Sequence, residues 1–357
     1  MRSRVQFLSC IFCTTLIFPY VLDALKLNTG LTSGNGTRTD EDARHHKRNN
    51  RVLIGLLSQP SDPAGRHESY IAASYVKFLE SAGARVVPFV HDMDKDEIKR
   101  RFDMVNGFLL PGGSARLRPG HTFFDTATEV VRLANEANDK GDYFPILAIC
   151  LGFETLAIIA SGNVSILGSY DSEDTAAPLY FTEKAKNSRF FGSLPEKIVA
   201  DLAAKPYARE SHSHGLSLAS FDANKVLKEE YEVLSLSTDP EGEVYISTME
   251  SKKYPYTATQ WHPEKNAYEW GDKLHIPHSK GAIDVTYAVA SFFVDQARRS
   301  FHAPQSILEE DDALIYGARL EFTGRHTSED DAPWMDEGYF FDDWSRRKED
   351  ATGSAAQ

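Results

Sequence analysis

The chain is poor in cysteine, in basic charge and in long apolar runs. Three cysteines in 357 residues are too few for a disulfide scaffold. Lys and Arg number 39 against 52 Asp and Glu, and a formal net charge of −13 argues against nucleic acid as a partner. Glycine and proline, at 23 and 16, lack the abundance and period of collagen. No sustained heptad, no internal repeat and no succession of apolar spans is present, so coiled coil and polytopic membrane protein are also excluded. What remains is a soluble globular balance, 41% hydrophobic and 25% charged. A chain of this length builds a full core without a disulfide or metal staple. Its acid is uneven: from Glu309 to Gln357 there are 14 Asp and Glu against 5 Lys and Arg.

The one long uncharged run lies near the N-terminus. Arg2 and Arg4 precede Val5 to Leu22, and Ala24 is a small residue at a cleavage position, so residues 1–24 read as a signal peptide. A signal anchor is the competing reading, weakened by Pro19 and by the Ser and Thr in the run. With the signal removed, no stable membrane insertion is expected. The secretory route makes two N-glycosylation sequons usable, at Asn35 and Asn163. Cys10 and Cys13 leave with the signal, so the mature chain keeps Cys150 alone, either an inert buried thiol or a reactive one. Residues 25–50 read as a flexible lead-in or pro-segment, with His45 and His46 in a solvated basic run.

From residue 51 the pattern becomes regular. Val52–Leu57, Val86–Val90, Gly107–Leu110 and Pro145–Ile149 are short apolar runs suited to strands covered on both faces. Between them lie helical segments: one from Ile71 to Ala82, one from Lys95 to Phe102 and one through Val130, Val131 and Ala134. This alternation predicts an α/β fold, a doubly wound and mostly parallel sheet flanked by helices. Later segments include a hairpin around Pro240-Glu241-Gly242, a strand at Tyr256–Thr259 and a helix from Asp284 to Arg299. A single domain over residues 51–345 is expected, with a polar tail from 346 to 357.

Cys150 falls where the fourth apolar strand gives way to a helix. A nucleophile there sits on a sharp turn with its side chain exposed above the sheet, and Gly152 makes room for the turn and a substrate. The helix N-terminus and a neighbouring imidazole would favour the thiolate. Gln260-Trp261-His262-Pro263-Glu264 supplies such an imidazole at another strand end, with Glu264 close enough to hold one ring nitrogen. Pro111-Gly112-Gly113-Ser114 ends a neighbouring strand, so the Gly113 N–H can join that of Leu151 as oxyanion donors. The polar residues Lys265, Asn266, Tyr268 and Glu269 suggest an open mouth beside the site. Only His212 and His214 share strand spacing suited to a metal. No second acidic or cysteine ligand sits beside them, and neither a metal nor another cofactor is expected.

The elbow, the Pro-Gly-Gly turn and the Cys…His-Pro-Glu order resemble the class I glutamine amidotransferase superfamily. Longer segments narrow the likeness: Tyr70 to Lys77, Leu79 to Pro88, Asp142 to Pro145, Cys150 to Glu154, and Gln260 to Lys265 with Tyr268-Glu269-Trp270. These resemble the gamma-glutamyl hydrolase family over about Arg51 to Asp342, including Ala313 to Tyr316. The resemblance implies a flavodoxin-like sheet and a secreted, lysosomal or vacuolar cysteine peptidase. Such an enzyme trims γ-linked glutamates from folylpoly-γ-glutamates and antifolate analogues. It also implies Cys150 as nucleophile, His262 as proton donor, Glu264 in the third triad position and His214 as a further active-site histidine. The lead-in and the acidic stretches at Glu329–Asp331 and Glu349–Asp350 depart from the family.

Two alternatives stay open. One is a glutamine amidotransferase or glutaminase, opposed by the signal and the sequons. The other is an inactive folate binder, opposed by the intact Cys150, His262 and Glu264 set. Endo- versus exo-cleavage and oligomeric state, with a homodimer allowed, have no signal in these motifs.

Overall fold

Uninterrupted apolar runs take the centre of the sheet. β1 (Val52–Leu57) is buried at every position, because helices cover both of its faces. The structure, a computed structural model, describes residues 48–60, 69–326 and 333–345. The expected signal segment, nearly all of the lead-in, the sequon at Asn35 and the tail beyond 345 lie outside the described residues.

After β1 come β2 (Ser69–Ala72), α1 (Ala73–Ser81), β3 (Ala84–Phe89), α2 (Lys95–Phe102), β4 (Gly107–Leu110), α3 (Thr122–Asp139), β5 (Ile146–Ile149) and α4 (Leu151–Ser161). Next are β6 (Gly168–Ala177), β7 (Tyr180–Phe181), α5 (Glu196–Ala204), β8 (Ala208–Gly215), α6 (Leu218–Ala223), α7 (Lys225–Glu230), β9 (Tyr231–Thr238), β10 (Val244–Ser251) and β11 (Tyr256–Thr259). The chain closes with α8 (Lys265–Tyr268), α9 (Lys280–Ala297), α10 (Ile307–Ala313), β12 (Arg319–Phe322) and β13 (Glu337–Phe341). The order in the main sheet is β3-β1-β4-β5-β11-β10-β9-β7. Neighbours from β3 to β11 are parallel, and the remaining three strands add antiparallel. This is the doubly wound, mostly parallel sheet that the alternating pattern predicts.

Local chemistry explains the helices. Asp94 caps α2 by accepting from the Glu97 N–H at 2.9 Å, and Asp96 and Glu97 in its first turn oppose Lys99, Arg100 and Arg101 in its last. α9 buries Val285, Val289, Phe292 and Phe293 against the sheet. Fully burying such side chains stabilises by roughly 1.5–3 kcal/mol each. No helix among the described residues is long and apolar enough to cross a membrane.

The connections position the site. β1 leads outward to β3, whereas β4 leads the other way to β5, so the winding reverses between β1 and β4. Ligands in open α/β sheets bind outside the strand carboxyl ends at such a reversal. The ends of β4, β5 and β11 lie side by side there, carrying Gly112, Cys150 and His262.

One expected helix begins late. Ile71 and Ala72 belong to β2, which pairs with β13 as Ile71↔Tyr339 and Ala72↔Gly338. A partner so far along the chain leaves no local mark, and Ile71 is buried in either conformation. A three-stranded sheet, β12-β13-β2, thus ties the C-terminal segment beside the edge that carries Gly112, Cys150 and His262.

Gly152 differs from expectation too. It lies inside α4, where a Cβ would meet the Leu110 carbonyl oxygen of β4 at 2.1 Å. Its bare backbone therefore makes room for a neighbouring strand. We expect Gly152→Ala to lose at least the upper end of the roughly 1–3 kcal/mol typical of overpacking. Urea unfolding checks this, and an unchanged midpoint would contradict so close an approach.

Candidate active site

β5 is locked to β11 up to its last bond, where the Cys150 N–H donates to the Thr259 carbonyl at 2.8 Å. The chain then turns at once into α4 with Cys150 at φ 52° and ψ −111°. Among the described residues only Asp174 shares a positive φ without being glycine. Such a conformation costs on the order of 1–3 kcal/mol and persists only where its surroundings over-determine it. The thiol is not exposed above the sheet as the elbow reading expected. Cys150 is 4% exposed, and its Sγ lies 3.7 Å from the Ser211 carbonyl on β8.

His262 follows β11 and is fixed by its backbone, its N–H donating to the Arg209 carbonyl at 2.8 Å. The loop around it is pinned by the Trp261 indole N–H on the Thr248 hydroxyl (3.0 Å) and the Thr286 hydroxyl on the Pro263 carbonyl (2.7 Å). His262 Nδ1 is 2.7 Å from Glu264 Oε1. A carboxylate acceptor places the proton on Nδ1 and leaves Nε2 as a base. Glu264 is fully buried. Burial pushes its pKa up, but the charge and hydrogen bond of His262 prevail and hold it below the usual range.

Gly112 joins the two functional groups. A Cβ there would lie 2.7 Å from the Tyr75 hydroxyl, 2.8 Å from His262 Cε1 and 3.2 Å from Cys150 Cβ. The Gly112 N–H donates to the Tyr75 hydroxyl at 2.8 Å, and its carbonyl accepts from Gln59 Nε2 at 3.0 Å. Both backbone groups of Gly112 are thus occupied. Gly113, with no hydrogen bond from its N–H among the described residues, faces the site beside Cys150. A side chain at Gly113 would collide with the Gln59 amide at 2.2 Å. The Leu151 N–H opposes, in part, the upward push of burial on the Cys150 thiol.

Sequence reasoning passed over Tyr75, Gln59 and Arg209. Tyr75 carried only a helical spacing, and nothing local marks a side chain that supports a turn from across the sheet. The suggested mouth is half wrong. Asn266 and Glu269 are buried, Asn266 bonding the Tyr207 and Ala282 carbonyls and Glu269 accepting from the Asp336 N–H. Lys265 alone of the four borders the cavity beside the thiol. Among the described residues no carboxylate lies within ion-pair distance of its ammonium.

Two cavities meet at the sulfur. The smaller, of about 170 Å³, is bordered by His262, Lys265 and Gln59. The larger, of about 510 Å³, is bordered by Leu151, Glu154, His214 and Arg118. Gly113, Cys150 and Ser211 border both. Glu154 is buried, takes a hydrogen bond from Gln260 Nε2 at 3.2 Å and has its pKa pushed up by burial to about 7. His214 is exposed in this cavity, whereas His212 is buried, with Nε2 3.1 Å from Glu210 Oε2.

Comparison with known proteins places the chain in a family. The family model described as Peptidase C26 matches residues 53–264. The chain belongs to the peptidase C26 family. Curated relatives include gamma-glutamyl hydrolase 1 of Arabidopsis thaliana, 40% identical over 285 residues, covering 77% of this chain and 80% of that protein. The gamma-glutamyl hydrolase of Homo sapiens is 41% identical over 283 residues, covering 78% and 87%. That of Bos taurus is 41% identical over 297 residues, covering 82% and 90%. As a member of a peptidase family, the chain is a hydrolase.

In this C26 peptidase the resting charge state departs from the preformed ion pair that the helix N-terminus and imidazole suggest. Burial pushes the Cys150 thiol well above its ordinary range, the Glu154 and Glu264 carboxylates push the same way, and the Leu151 N–H only partly opposes them. Burial lowers the His262 pKa, and the Glu264 carboxylate does not fully restore it. The pair therefore rests as neutral thiol and neutral imidazole. Alkylation of Cys150 by iodoacetamide should accelerate continuously with pH through the ordinary thiol range. A rate plateau already present in mild acid would instead reveal an ion pair and contradict this assignment.

Proposed function

We propose that the protein hydrolyses γ-glutamyl bonds of folylpoly-γ-glutamates and antifolate polyglutamates, with Cys150 as nucleophile. The observation that carries this reading is a strained elbow thiol placed between two cavities, with the His262–Glu264 pair on one side of it. Relatives named as gamma-glutamyl hydrolases support the bond type. The Lys265 ammonium supports an anionic substrate.

The chemistry follows from the neutral pair. His262 Nε2 takes the thiol proton as Cys150 Sγ bonds to the γ-amide carbon. The carbonyl oxygen gains charge between the N–H groups of Gly113 and Leu151. Collapse breaks the C–N bond, and the imidazolium returns the proton to the departing α-amine. Water then replaces the amine. His262 takes a proton from it, hydroxide adds to the thioester carbon, the C–S bond breaks, and the imidazolium returns the proton to sulfur to regenerate the thiol. Glu264 holds the ring and balances the imidazolium. Tyr75 is a positioning residue, bonded to Gly112 so that the Pro-Gly-Gly turn stays open toward the sulfur. His214 and Arg118 line the larger cavity, where the acyl part lies.

A secretory destination, extracellular, lysosomal or vacuolar, also belongs to this reading. The charged, apolar and small-residue order of positions 1–24 supports it. So does Asn163, which is exposed in a turn where its Oδ1 accepts from the Ser165 N–H at 2.9 Å. Glycosidase treatment of protein from a eukaryotic secretory host should lower its mass, and Asn163→Gln should remove the part of that shift due to this site. An Asn163→Gln protein with the full wild-type shift would mean this turn is not modified.

Mass spectrometry of products from pteroyl-poly-γ-glutamate tests the activity. Glutamate or γ-glutamyl peptides should appear without added metal or nucleotide, and free glutamine should react poorly. Glutamine hydrolysis without chain cleavage would favour a glutaminase. Cys150→Ala should abolish turnover, and His262→Ala should cost roughly 10²–10⁴-fold, the usual scale of general acid–base catalysis. Glu264→Gln should cost less. Because the free enzyme needs neutral His262 and its pKa is lowered, the acid limb of kcat/KM should lie below the ordinary 6.5. Removing the Glu264 charge, which raises that pKa, should move the limb lower still. A limb displaced upward in Glu264→Gln would reverse the assigned role.

A further inference from the structure

We propose that Trp334, carried on the C-terminal segment that leads into β13, limits the leaving-group cavity to one glutamate. The enzyme then removes γ-linked glutamates singly from the chain end. This rests on the proposed function and adds a direction and a cleavage mode to it.

Direction comes from the proton. The departing amine must face the group that protonates it, and His262 borders the smaller cavity but not the larger. Leu151, an oxyanion donor on the acyl side, borders the larger but not the smaller. The leaving portion therefore enters the small cavity, and the pteroyl-bearing acyl portion fills the large one.

Size sets the cleavage mode. The small cavity, about 170 Å³, has a third of the volume of its neighbour at about 510 Å³. It also falls below the roughly 300–1,000 Å³ typical of pockets for drug-sized ligands. That volume matches one amino acid, and a γ-linked dipeptide or longer peptide would have to extend past Trp334.

The wall that sets this limit is built from a distant part of the chain. Trp334 and Met335 border the cavity, with the indole set edge-on to the Tyr70 ring at a centroid distance of 5.0 Å. Trp334 is 40% exposed, so it stands between the cavity and solvent. Its neighbours cannot yield easily. The Asp336 N–H donates to the buried Glu269 at 2.8 Å, and Asp336 Oδ2 accepts from the Trp270 N–H at 2.8 Å. The Asp336 carbonyl takes the Thr323 and Gly324 N–H groups, and the Met335 carbonyl takes the Thr323 hydroxyl. Beyond them β13 is hydrogen-bonded to β2 from Gly338 to Phe341. The indole is thus held by a network that never touches the reacting atoms.

The test follows the cleavage of pteroyl-penta-γ-glutamate by the mature protein, reading early products by liquid chromatography and mass spectrometry. Wild type should give free glutamate first, with pteroyl species shortening by one residue at a time. Trp334→Ala should shift the early products to di- and tri-γ-glutamate, and Trp334→Phe should restore single release. A wall with only a structural role would alter rate or stability and leave product length unchanged. Intact γ-glutamyl peptides among the first wild-type products would overturn the proposal. So would a Trp334→Ala enzyme that still releases only single glutamates. A wild type that leaves the chain uncleaved would overturn the proposed function itself, and this inference with it.

Discussion

The turn from β5 into α4 is the constraint on which the rest of the site depends. It requires Cys150 to adopt a left-handed backbone immediately after its N–H has closed the last bond to β11. It also brings the first turn of α4 so near β4 that Gly152 has no space for a side chain against the Leu110 carbonyl. β4 is drawn into the same corner, and its continuation must be Gly112, because Tyr75, His262 and Cys150 all crowd the place where a Cβ would stand. Three parallel strand ends thus share one small volume. The sheet supplies the over-determination that the strained Cys150 backbone needs.

That crowding decides the electrostatics. A thiol at a helix N-terminus beside an imidazole favours its ionised form in general. Here the same close packing removes water from both groups, and desolvation penalises whichever form is charged. The carboxylates of Glu154 and Glu264 add to the penalty on the thiolate while they support an imidazolium. In the proposed mechanism charge separation is therefore deferred until substrate occupies the oxyanion position, where the Leu151 and Gly113 N–H groups would receive the developing charge. Glu154 itself, raised to about 7, is largely protonated in mildly acidic surroundings, where its charge no longer opposes the thiolate. An acidic compartment would thus relieve part of the cost.

Much of this was readable in the residues. Four apolar runs became four parallel strands. The Cys150 elbow and the His-Pro-Glu segment emerged at adjacent strand ends, because a parallel sheet places every strand terminus on one edge. What stayed hidden depended on contacts far apart in sequence. β2 reads as the start of a helix because its partner β13 lies at the other end of the chain. Asn266 and Glu269 looked like a polar rim, yet each is buried with backbone partners. Polarity in a sequence does not separate a solvated side chain from one that satisfies buried amides. Gly152 suits the turn by residue type, whereas the strain sits on the cysteine and the glycine accommodates a neighbouring strand.

In the proposed reaction the unequal cavities also set the route by which water reaches the thioester. His262 borders only the small cavity, so water activated by its Nε2 must enter the space that the departing amine has just left. A leaving group that fits this space and then diffuses out clears the route, whereas a longer one lodged against Trp334 would block it. Cleavage and hydrolysis of the thioester are thus tied to the same opening. On this proposal the wall that selects the leaving group would also govern how soon the acyl-enzyme is released. The acyl portion, in a cavity three times larger, faces no such limit, which leaves it free to carry a pteroyl group and several remaining glutamates.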